Sequence, residues 1–326
     1  MNVTILDDYF NTLPSLPSFR KLAGFKVTVW NDHVQDTDAL AERLKDTEIL
    51  VLFRERTQIT GALLDRLPRL KLISQRSVYP HVDVPACTRN GVLLCSNMHV
   101  GSPSYAAAEL TFALMLASMR QLPAQVASLK AGNWQMGVGR TLRGRVLGLY
   151  GYGRIGQAVA GYGRAFGMDV RWWASNEGRQ RACANGETVA ASRAAFFAEA
   201  DVVSLHVRLN PATRGLITLD DLLGMRADAL LVNTSRSGLI EPGALLAALN
   251  AGQPGFAAVD VFDVEPLTDP ADPLLSHPNV LATPHIGYVT EDELETQFSD
   301  IYDQILAFAS GQPIHMINPE ALYRTA

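Results

Sequence analysis

Three polar side chains of different chemistry each stand at the end of an apolar, strand-like run. They are Arg236, Glu265 and His285. A histidine exchanges protons near neutral pH, and a nearby carboxylate stabilises its protonated form and fixes its tautomer. A guanidinium can bind an anionic group through two parallel hydrogen bonds. These residue types therefore predict an acid–base site with an anchor for an anionic substrate.

The composition of the chain limits the classes of protein to which it can belong. Its 326 residues suffice for two domains, and a hydrophobic content of 48% can fill their cores. The formal net charge of −5 provides no overall basic field, so we expect neither a nucleic-acid nor a membrane partner. Cys87, Cys95 and Cys183 lack metal-ligand or CxxC spacing, so we expect free thiols and no metal site.

The N-terminal segment carries no basic region ahead of its first apolar run, which argues against a signal peptide. The longest apolar helix candidate, residues 106–119, contains Glu109 and is too short to span a bilayer. We therefore expect a cytoplasmic protein.

Short aliphatic runs alternate with helical patterns, which predicts an α/β protein with parallel sheets. The first series of strand candidates is 3–6, 26–30, 49–53, 72–74 and 91–95. The second series is 146–150, 169–173, 202–205, 229–233, 256–261 and 280–282. Six strands in this rhythm are the number expected of a dinucleotide-binding fold. Two longer helix candidates, 104–120 and 291–310, are expected to connect the domains.

A glycine-rich turn lies between a predicted strand and a predicted helix. The first glycine of such a turn permits a tight bend, the second a close backbone approach to a pyrophosphate, and the third close helix–strand packing. The start of the helix then faces the phosphates. We therefore predict that a dinucleotide binds to Gly151, Gly153, Arg154, Ile155 and Gly156.

The segment after the next strand favours NADP over NAD. A carboxylate usually stands at this strand end in NAD-binding proteins, where it accepts from the ribose 2′-OH. Here the strand candidate 169–173 ends without an acid, and a 2′-phosphate could be bound by Ser175, Asn176 and Arg179. Two alternatives stay open: the arginines form a solvated loop, or Glu177 reaches the ribose.

The motifs resemble those of the D-isomer-specific 2-hydroxyacid dehydrogenases, and the resemblance covers nearly the whole chain. It is carried by residues 151–156, 205–207, 233–238, 260–267 and 283–287. The resemblance implies two doubly wound parallel-sheet domains. An NAD(P)-binding Rossmann domain, residues 103–291, is expected to be inserted into a flavodoxin-like substrate domain, residues 1–102 and 292–326. It also implies hydride transfer between NAD(P)H and a 2-oxo or D-2-hydroxy acid.

The resemblance assigns expected roles to individual residues. Arg236 matches the substrate-binding arginine, His285 the acid–base residue, and Glu265 the carboxylate paired with that histidine. Asp260 resembles a carboxylate on the nicotinamide side. Further cofactor contacts are expected from His206, Thr234, Ser235 and Gly287.

The N-terminal domain is expected to complete the substrate site with Arg54. Family members usually carry a glycine-bearing loop after the strand at 70–73, whereas residues 74–83 of this chain contain no glycine. Positive φ angles are costly without glycine, so a differently shaped cradle is expected. We predict that Arg76, Ser77 and Val78 contact the substrate, and that the substrate is a larger or more acidic 2-oxo acid.

Other functions are compatible with the same motifs. Some relatives act as NAD(H)-responsive corepressor scaffolds, and phosphite dehydrogenases keep a glutamate at the position of Glu265. Formate dehydrogenases resembling this family carry glutamine there, which argues against them. The family is commonly dimeric, and the apolar segment 105–119 is either an interface helix or ordinary core.

Overall fold

The computed structural model describes residues 1–98 and 105–323. Its contacts divide the chain into two compact units, Met1–Pro103 with Val289–Ala326, and Ser104–Tyr288. The predicted domain boundaries at 102/103 and 291/292 stay predictions, and the first lies outside the described residues. No helix in the described ranges is long and apolar enough to cross a membrane.

The first unit is built on a parallel sheet of five strands. These are β1 (Asn2–Ile5), β2 (Lys26–Val29), β3 (Ile49–Val51), β4 (Leu72–Arg76) and β5 (Leu93–Asn97). Their order, β2-β1-β3-β4-β5, is that of a flavodoxin-like fold. The helices between them are α1 (Thr37–Leu44), α2 (Gly61–Leu64) and α3 (Val84–Arg89). Asp36 and Asp83 cap α1 and α3 by accepting hydrogen bonds from backbone amides.

The second unit begins with two helices, α4 (Ala106–Met119) and α5 (Leu122–Lys130). It continues with β6 (Val146–Tyr150), α6 (Arg154–Ala165), β7 (Asp169–Trp173), α7 (Asn176–Ala184), α8 (Arg193–Glu199), β8 (Val202–Leu205), α9 (Leu219–Leu223), β9 (Leu230–Asn233), α10 (Ala244–Asn250), β10 (Phe256–Val259), α11 (Pro273–Ser276) and β11 (Val280–Ala282). The last helix of the chain, α12 (Glu291–Ala309), belongs to the first unit.

The six strands of the second unit form a parallel sheet in the order β11-β10-β9-β8-β6-β7. Beyond β7, Val189 pairs with Trp172 in a single parallel bridge, which occupies the place of the third strand of a Rossmann sheet. The predicted α/β class is therefore confirmed. All six strand candidates of the second series are strands, with ends within two residues of those predicted.

One segment differs from its predicted structure. No helix was predicted over residues 176–184, and a solvated loop was one of the alternatives for this segment; these residues form α7, whose first turn is capped by the hydroxyl of Ser175. Glycine at position 178 lowers the helix propensity of this segment. Gly178 is buried, and a Cβ there would lie 2.7 Å from the Cβ of Ala174. The space beside Ala174 therefore admits only glycine at this position, and the Ser175 cap stabilises the first turn although glycine has a low helix propensity.

The parallel arrangement explains where polar residues collect. The carboxyl ends of parallel strands lie at one edge of the sheet, so the loops after β6, β9, β10 and β11 all begin there. Aliphatic side chains on both faces of the sheet are buried under helices, leaving the strand ends to carry the polar groups. This edge of the second unit is the candidate site.

Candidate active site

The predicted histidine–carboxylate pair is formed in the second unit. His285 lies in the loop after β11 and Glu265 in the loop after β10, and these strands are adjacent. The distance between Nδ1 of His285 and Oε2 of Glu265 is 2.5 Å. Because Nδ1 faces the carboxylate, Nε2 is the nitrogen left for a reacting group. The pair therefore has the orientation required of an acid–base residue.

Glu265 is held from two sides. Its second oxygen, Oε1, accepts a hydrogen bond of 2.9 Å from the amide of Phe262. Burial raises the pKa of Glu265, but the hydrogen bond and charge of His285, the Phe262 amide and the charge of Arg236 together lower it below its usual value. The carboxylate is therefore ionised throughout the neutral range.

The backbone that carries His285 is fixed by Asp260, which is fully buried. One oxygen of Asp260 accepts from the hydroxyl of Thr283 at 2.6 Å and from the amide of Ile286 at 2.8 Å. The other accepts from the amide of Gly287 at 2.8 Å. These bonds hold the loop while His285 adopts a φ of 53°, in the left-handed region. Asp260 thus has a structural task within this loop, and its nicotinamide role stays a prediction.

Replacement of Asp260 by Asn separates these two roles. An amide Nδ2–H would face the N–H of Gly287, and a buried donor without an acceptor costs about 1–3 kcal/mol. We expect a lower free energy of unfolding and a fall in kcat of about tenfold, because the His285 loop loosens. Chemical denaturation and steady-state kinetics measure both. A rise in KM for the cofactor with unchanged stability would instead favour the nicotinamide role.

The loop after β9 presents Arg236. Oδ1 of Asn233 accepts from the amide of Ser235, and its Nδ2 donates to the carbonyl of Arg236, both at 3.0 Å. The hydroxyl of Ser237 donates to the carbonyl of Phe262 at 2.9 Å, which ties this loop to the one bearing Glu265. The guanidinium of Arg236 donates to the carbonyl of Ser235 at 2.7 Å. Arg236 is thus positioned by its own loop and by the loop that follows β10.

Two predicted cofactor residues of this loop use their hydroxyls within the protein. Thr234 Oγ1 lies 2.6 Å from Thr111 Oγ1 on α4, and the hydroxyl of Ser235 donates to the carbonyl of Val207 at 2.8 Å. Their backbone groups lie at the carboxyl edge of the sheet. Contact of Thr234 and Ser235 with a cofactor stays a prediction.

Each of the three glycines in the turn after β6 lacks a side chain for a different structural reason. Gly151 has a φ of 113°, and a Cβ there would lie 2.4 Å from the carbonyl oxygen of His206. A Cβ on Gly156 would lie 2.8 Å from the carbonyl oxygen of Gly151. A Cβ on Gly153 would meet nothing within 4 Å, so this backbone borders open space at the start of α6. Such a turn at a helix N-terminus fits a pyrophosphate.

His206 follows β8 beside the glycine turn. Its amide donates to the carbonyl of Tyr150 at 2.8 Å, and its Nε2 lies 2.9 Å from the hydroxyl of Ser204. Burial lowers the pKa of His206 to about 4. The imidazole is therefore neutral at physiological pH, which suits a wall against an uncharged ring better than an anion site.

The residues proposed to choose the cofactor lie where β7 ends and α7 begins. Ser175 accepts from the amide of Gly178 at 3.2 Å. The guanidinium of Arg179 donates to the carbonyl of Ala174 at 2.6 Å and to the side chain of Asn176, and it stacks 4.3 Å from the ring of Trp173. Arg179 is therefore held at the strand end, while Glu177 is exposed.

In the first unit, Ser77 has a φ of 80°. The expectation of a differently shaped cradle was based on the absence of glycine, yet serine adopts the left-handed conformation there at a cost of about 1–2 kcal/mol. The carbonyl of Ser77 accepts from Ser96 at 2.6 Å, and Gln75 donates to the carbonyls of Ser77 and Val78 at 3.1 and 3.2 Å. In a trans peptide the N–H points opposite to the carbonyl. The amides of Val78 and Tyr79 therefore point away from this polar cluster.

The two predicted arginines of the first unit differ in their surroundings. Arg76 is mostly buried and pairs with Asp300 at 2.9 Å and Glu293 at 3.5 Å, so a substrate would compete with two carboxylates for it. Arg54 has a φ of 63° and lies 3.7 Å from the carboxylate of Glu55. Substrate contacts by either residue stay predictions.

Several residues that shape the site were not identified from the sequence. They are Thr283 and Ser237, which support the loops, and Tyr288, whose ring contacts that of His285. Tyr288 is three residues after the histidine and could have been suspected from that spacing. The partners of the other two lie more than 20 residues away and depend on the order of the strands.

The chain is similar to known proteins over most of its length. A family model described as D-isomer specific 2-hydroxyacid dehydrogenase, NAD binding domain, matches residues 112–287. The chain is 36% identical to D-3-phosphoglycerate dehydrogenase of Methanocaldococcus jannaschii, over 84% of its own length and 52% of that protein. It is 31% identical to glyoxylate reductase of Thermococcus litoralis, over 91% of its own length and 92% of that protein. It thus spans about half the length of the first relative.

Solved structures give the same result. Phosphoglycerate oxidoreductase from Vibrio cholerae o395 matches with a TM-score of 0.90 and 49% identity, over 95% of this chain and 99% of that one. D-lactate dehydrogenase from Aquifex aeolicus, in complex with NAD and lactic acid, matches with a TM-score of 0.74 and 28% identity, over 95% and 96%. With the glycine turn, the strand order and the family model in agreement, the protein belongs to the D-isomer-specific 2-hydroxyacid dehydrogenase family.

Proposed function

We propose that the protein transfers a hydride reversibly between NAD(P)H and a 2-oxo acid or D-2-hydroxy acid. The observation that carries this proposal is the 2.5 Å contact between His285 and Glu265. These residues lie in the loops after two adjacent strands, next to the loop that bears Arg236. A histidine oriented by an ionised carboxylate, next to an arginine, supplies both a proton donor and an anion anchor.

In the reductive direction each residue has one task. The guanidinium of Arg236 holds the substrate carboxylate, and Nε2 of His285 donates a proton to the oxygen at C2. Glu265 stabilises the imidazolium before the proton is transferred. The nicotinamide, when bound, supplies the hydride. In the oxidative direction neutral His285 accepts the hydroxyl proton.

The residues around the glycine turn fit a dinucleotide. Gly153 and the first amides of α6 would hold the pyrophosphate, since the space beside Gly153 is open and a Cβ there would meet nothing within 4 Å. Gly151, Arg154, Ile155 and Gly156 build this turn. The neutral ring of His206 would line the adjacent ring-binding surface.

In the first unit we propose that the backbone amides of Val78 and Tyr79 form a carboxylate cradle. Ser77 supplies the left-handed conformation beside it, while its own amide donates to the carbonyl of Asn97 at 3.0 Å. The carbonyls of Ser77 and Val78 accept from Gln75, which turns the two following amides to one side, and paired amides of this kind bind anions. Such a cradle accommodates small 2-oxo acids, so it weakens the reason for expecting only larger or more acidic ones. Arg54 is the proposed charged neighbour of the substrate.

A spectrophotometric screen at 340 nm tests the proposal. NADPH and NADH would each be combined with glyoxylate, hydroxypyruvate, pyruvate and larger aromatic or branched 2-oxo acids. Oxidation of the cofactor with at least one acid is the expected result. No turnover with any acid would contradict the enzymatic role and favour the corepressor-like scaffold. A separate assay would combine NAD or NADP with phosphite and follow formation of the reduced cofactor at 340 nm. Turnover in this assay alone would favour a phosphite dehydrogenase.

We propose NADP as the preferred cofactor, because no acid stands at the end of β7 and Arg179 is held there by Ala174 and Trp173. The variant Ser175→Asp tests this preference. Aspartate caps a helix as well as serine does, so α7 is kept while a carboxylate is added. We expect kcat/KM for NADPH to fall about 30-fold, equivalent to about 2 kcal/mol of repulsion, and that for NADH to be kept or to rise.

A matched control is Ser192→Asp, because Ser192 caps α8 in the same manner, accepting from the amide of Ala195 at 3.0 Å. This variant should leave the ratio of NADPH to NADH activity unchanged. Equal effects of both variants, or a wild-type enzyme that strongly prefers NADH, would overturn the NADP proposal.

We propose a homodimer formed through the second unit. The apolar helix α4 was one candidate surface, but Phe112, Met115 and other residues of α4 are buried in the core. Helix α5 has no buried residue, and with the following segment it exposes Leu122, Val126, Leu129, Trp134 and Val138. Trp134 and Val138 are 76% and 90% exposed, which is unusual for a monomer surface. Sedimentation equilibrium measures the mass in solution.

A further inference from the structure

The side chain of His285 needs a second contact to keep one orientation. Asp260 fixes the backbone of its loop, and among the described residues Glu265 is its ion-pair partner, through Nδ1. A single hydrogen bond still allows the ring to rock about the axis that joins the two bonded atoms. Proton transfer through Nε2 depends on alignment with the reacting oxygen, so such rocking reduces the rate.

Tyr288 supplies a contact of the appropriate kind. The centroids of the His285 and Tyr288 rings lie 5.7 Å apart, and the ring planes make an angle of 83°. Edge-to-face pairs at this separation are attractive and have a preferred angle. Tyr288 is partly buried, so its ring has less freedom than that of an exposed tyrosine.

The intervening glycine fixes the position of Tyr288. The amide of Gly287 donates to Asp260 at 2.8 Å, and a Cβ on Gly287 would lie 3.1 Å from that carboxylate oxygen. The chain therefore leaves His285 in a direction set by the buried aspartate. As a result, the ring of Tyr288, three residues later, packs against the imidazole.

We propose that Tyr288 is a positioning residue for His285. Its ring limits rocking of the imidazole, maintains the contact with Glu265 and keeps Nε2 in line with the substrate oxygen. The kinetic part of this proposal rests on the proposed function, whereas the ring contact does not.

The kinetic test compares Tyr288→Leu with Tyr288→Phe. Leucine removes the aromatic ring and phenylalanine keeps it, so we expect kcat to fall about 3- to 10-fold in the first variant and to stay within twofold in the second. Tyr323→Leu is the matched control at a tyrosine that is 86% exposed, and it should match the wild type. In a Glu265→Gln background the Tyr288→Leu substitution should cost less, because both residues act through the same ring.

Nuclear magnetic resonance of the histidine-labelled protein supplies a readout that needs no turnover. The His285 ring signals are identified by their loss in His285→Asn. The ring-current shift from Tyr288 should vanish in Tyr288→Leu and persist in Tyr288→Phe. Absence of this shift in the wild type overturns the ring contact.

Other outcomes overturn the positioning role. These are equal losses of kcat in Tyr288→Leu and Tyr288→Phe, a change in KM alone, or fully multiplicative effects with Glu265→Gln. A wild-type protein that gives the ring-current shift but reduces no 2-oxo acid would contradict the proposed function and leave the contact established.

Discussion

The variant His285→Asn is expected to lower kcat by about 10²- to 10⁴-fold, the usual contribution of a general acid–base residue. Asparagine tolerates the left-handed region, so it can adopt the φ of 53° that position 285 requires. It is also polar and of similar size, but it cannot exchange a proton near neutral pH. The fold and the affinity for the cofactor should therefore be kept.

Steady-state oxidation of NAD(P)H measures the loss, and the fluorescence of bound NAD(P)H measures cofactor affinity. A kcat within threefold of the wild-type value would exclude His285 as the proton donor. A weaker affinity for the cofactor with unchanged kcat would assign the residue to binding instead.

The partner variant Glu265→Gln tests the same pair through its pH dependence. The pKa of Glu265 lies below its usual value, so in the wild type this residue is an anion across the neutral range. The anion favours protonated His285, which reduction requires. Without the anion the proton is lost more readily, so the rate of reduction should fall at lower pH than in the wild type.

The exposed residue Glu199 provides the control, and Glu199→Gln should leave the pH–rate profile unchanged. An unmoved profile in Glu265→Gln would show that the carboxylate does not act through the histidine.

The second large effect is expected from Arg236→Lys, with a fall in kcat/KM of about 100-fold, or roughly 3 kcal/mol. Lysine keeps the positive charge but cannot form two parallel hydrogen bonds to a carboxylate. The variant therefore separates the geometry of the guanidinium from its charge. Since the charge of Arg236 contributes to the lowered pKa of Glu265, a charge-removing variant would change both residues at once.

Kinetics with the best 2-oxo acid and with a cofactor titration measure the effect. The loss should appear with every 2-oxo acid, while KM for the cofactor stays constant. Arg171→Lys is the control, because Arg171 pairs with Asp169 on β7 and has no role in the proposed site. A loss below threefold at position 236 would show that charge alone anchors the substrate.

The strand pattern of this chain could be predicted because it depends on neighbours in the sequence. Aliphatic runs of four to six residues between polar turns predict strands such as β6 and β9, and both are present. The glycine turn was predicted for the same reason. Helix α7 was not predicted, because glycine has a low helix propensity, whereas the space beside Ala174 admits only glycine at position 178 and Ser175 caps the first turn.

The hydrogen-bond partners of the polar residues could not be predicted from the local sequence pattern. The hydrogen bonds by which Asp260 holds residues 283–287 in place were not predicted, and its expected contact with the cofactor stays a prediction. The absence of glycine from residues 74–83 predicted a differently shaped cradle, yet Ser77 has a φ of 80°, and hydrogen bonds from Gln75 and Ser96 accompany that conformation. Several hydrogen bonds together can outweigh a conformational preference of one or two kcal/mol.

The sequence alone determined the functional groups of the site, their order along the chain and the family. These groups are a dinucleotide turn, an arginine, a carboxylate and a histidine, each after an apolar run. The tertiary structure decided that β9, β10 and β11 are adjacent, which brings Glu265 within 2.5 Å of His285 although 20 residues separate them. It also decided that Asp260 clamps the histidine loop and that Tyr288 packs against the histidine. The physical reason is that strand order and buried hydrogen bonds join residues far apart in the chain, whereas local periodicity reports only which residues are buried.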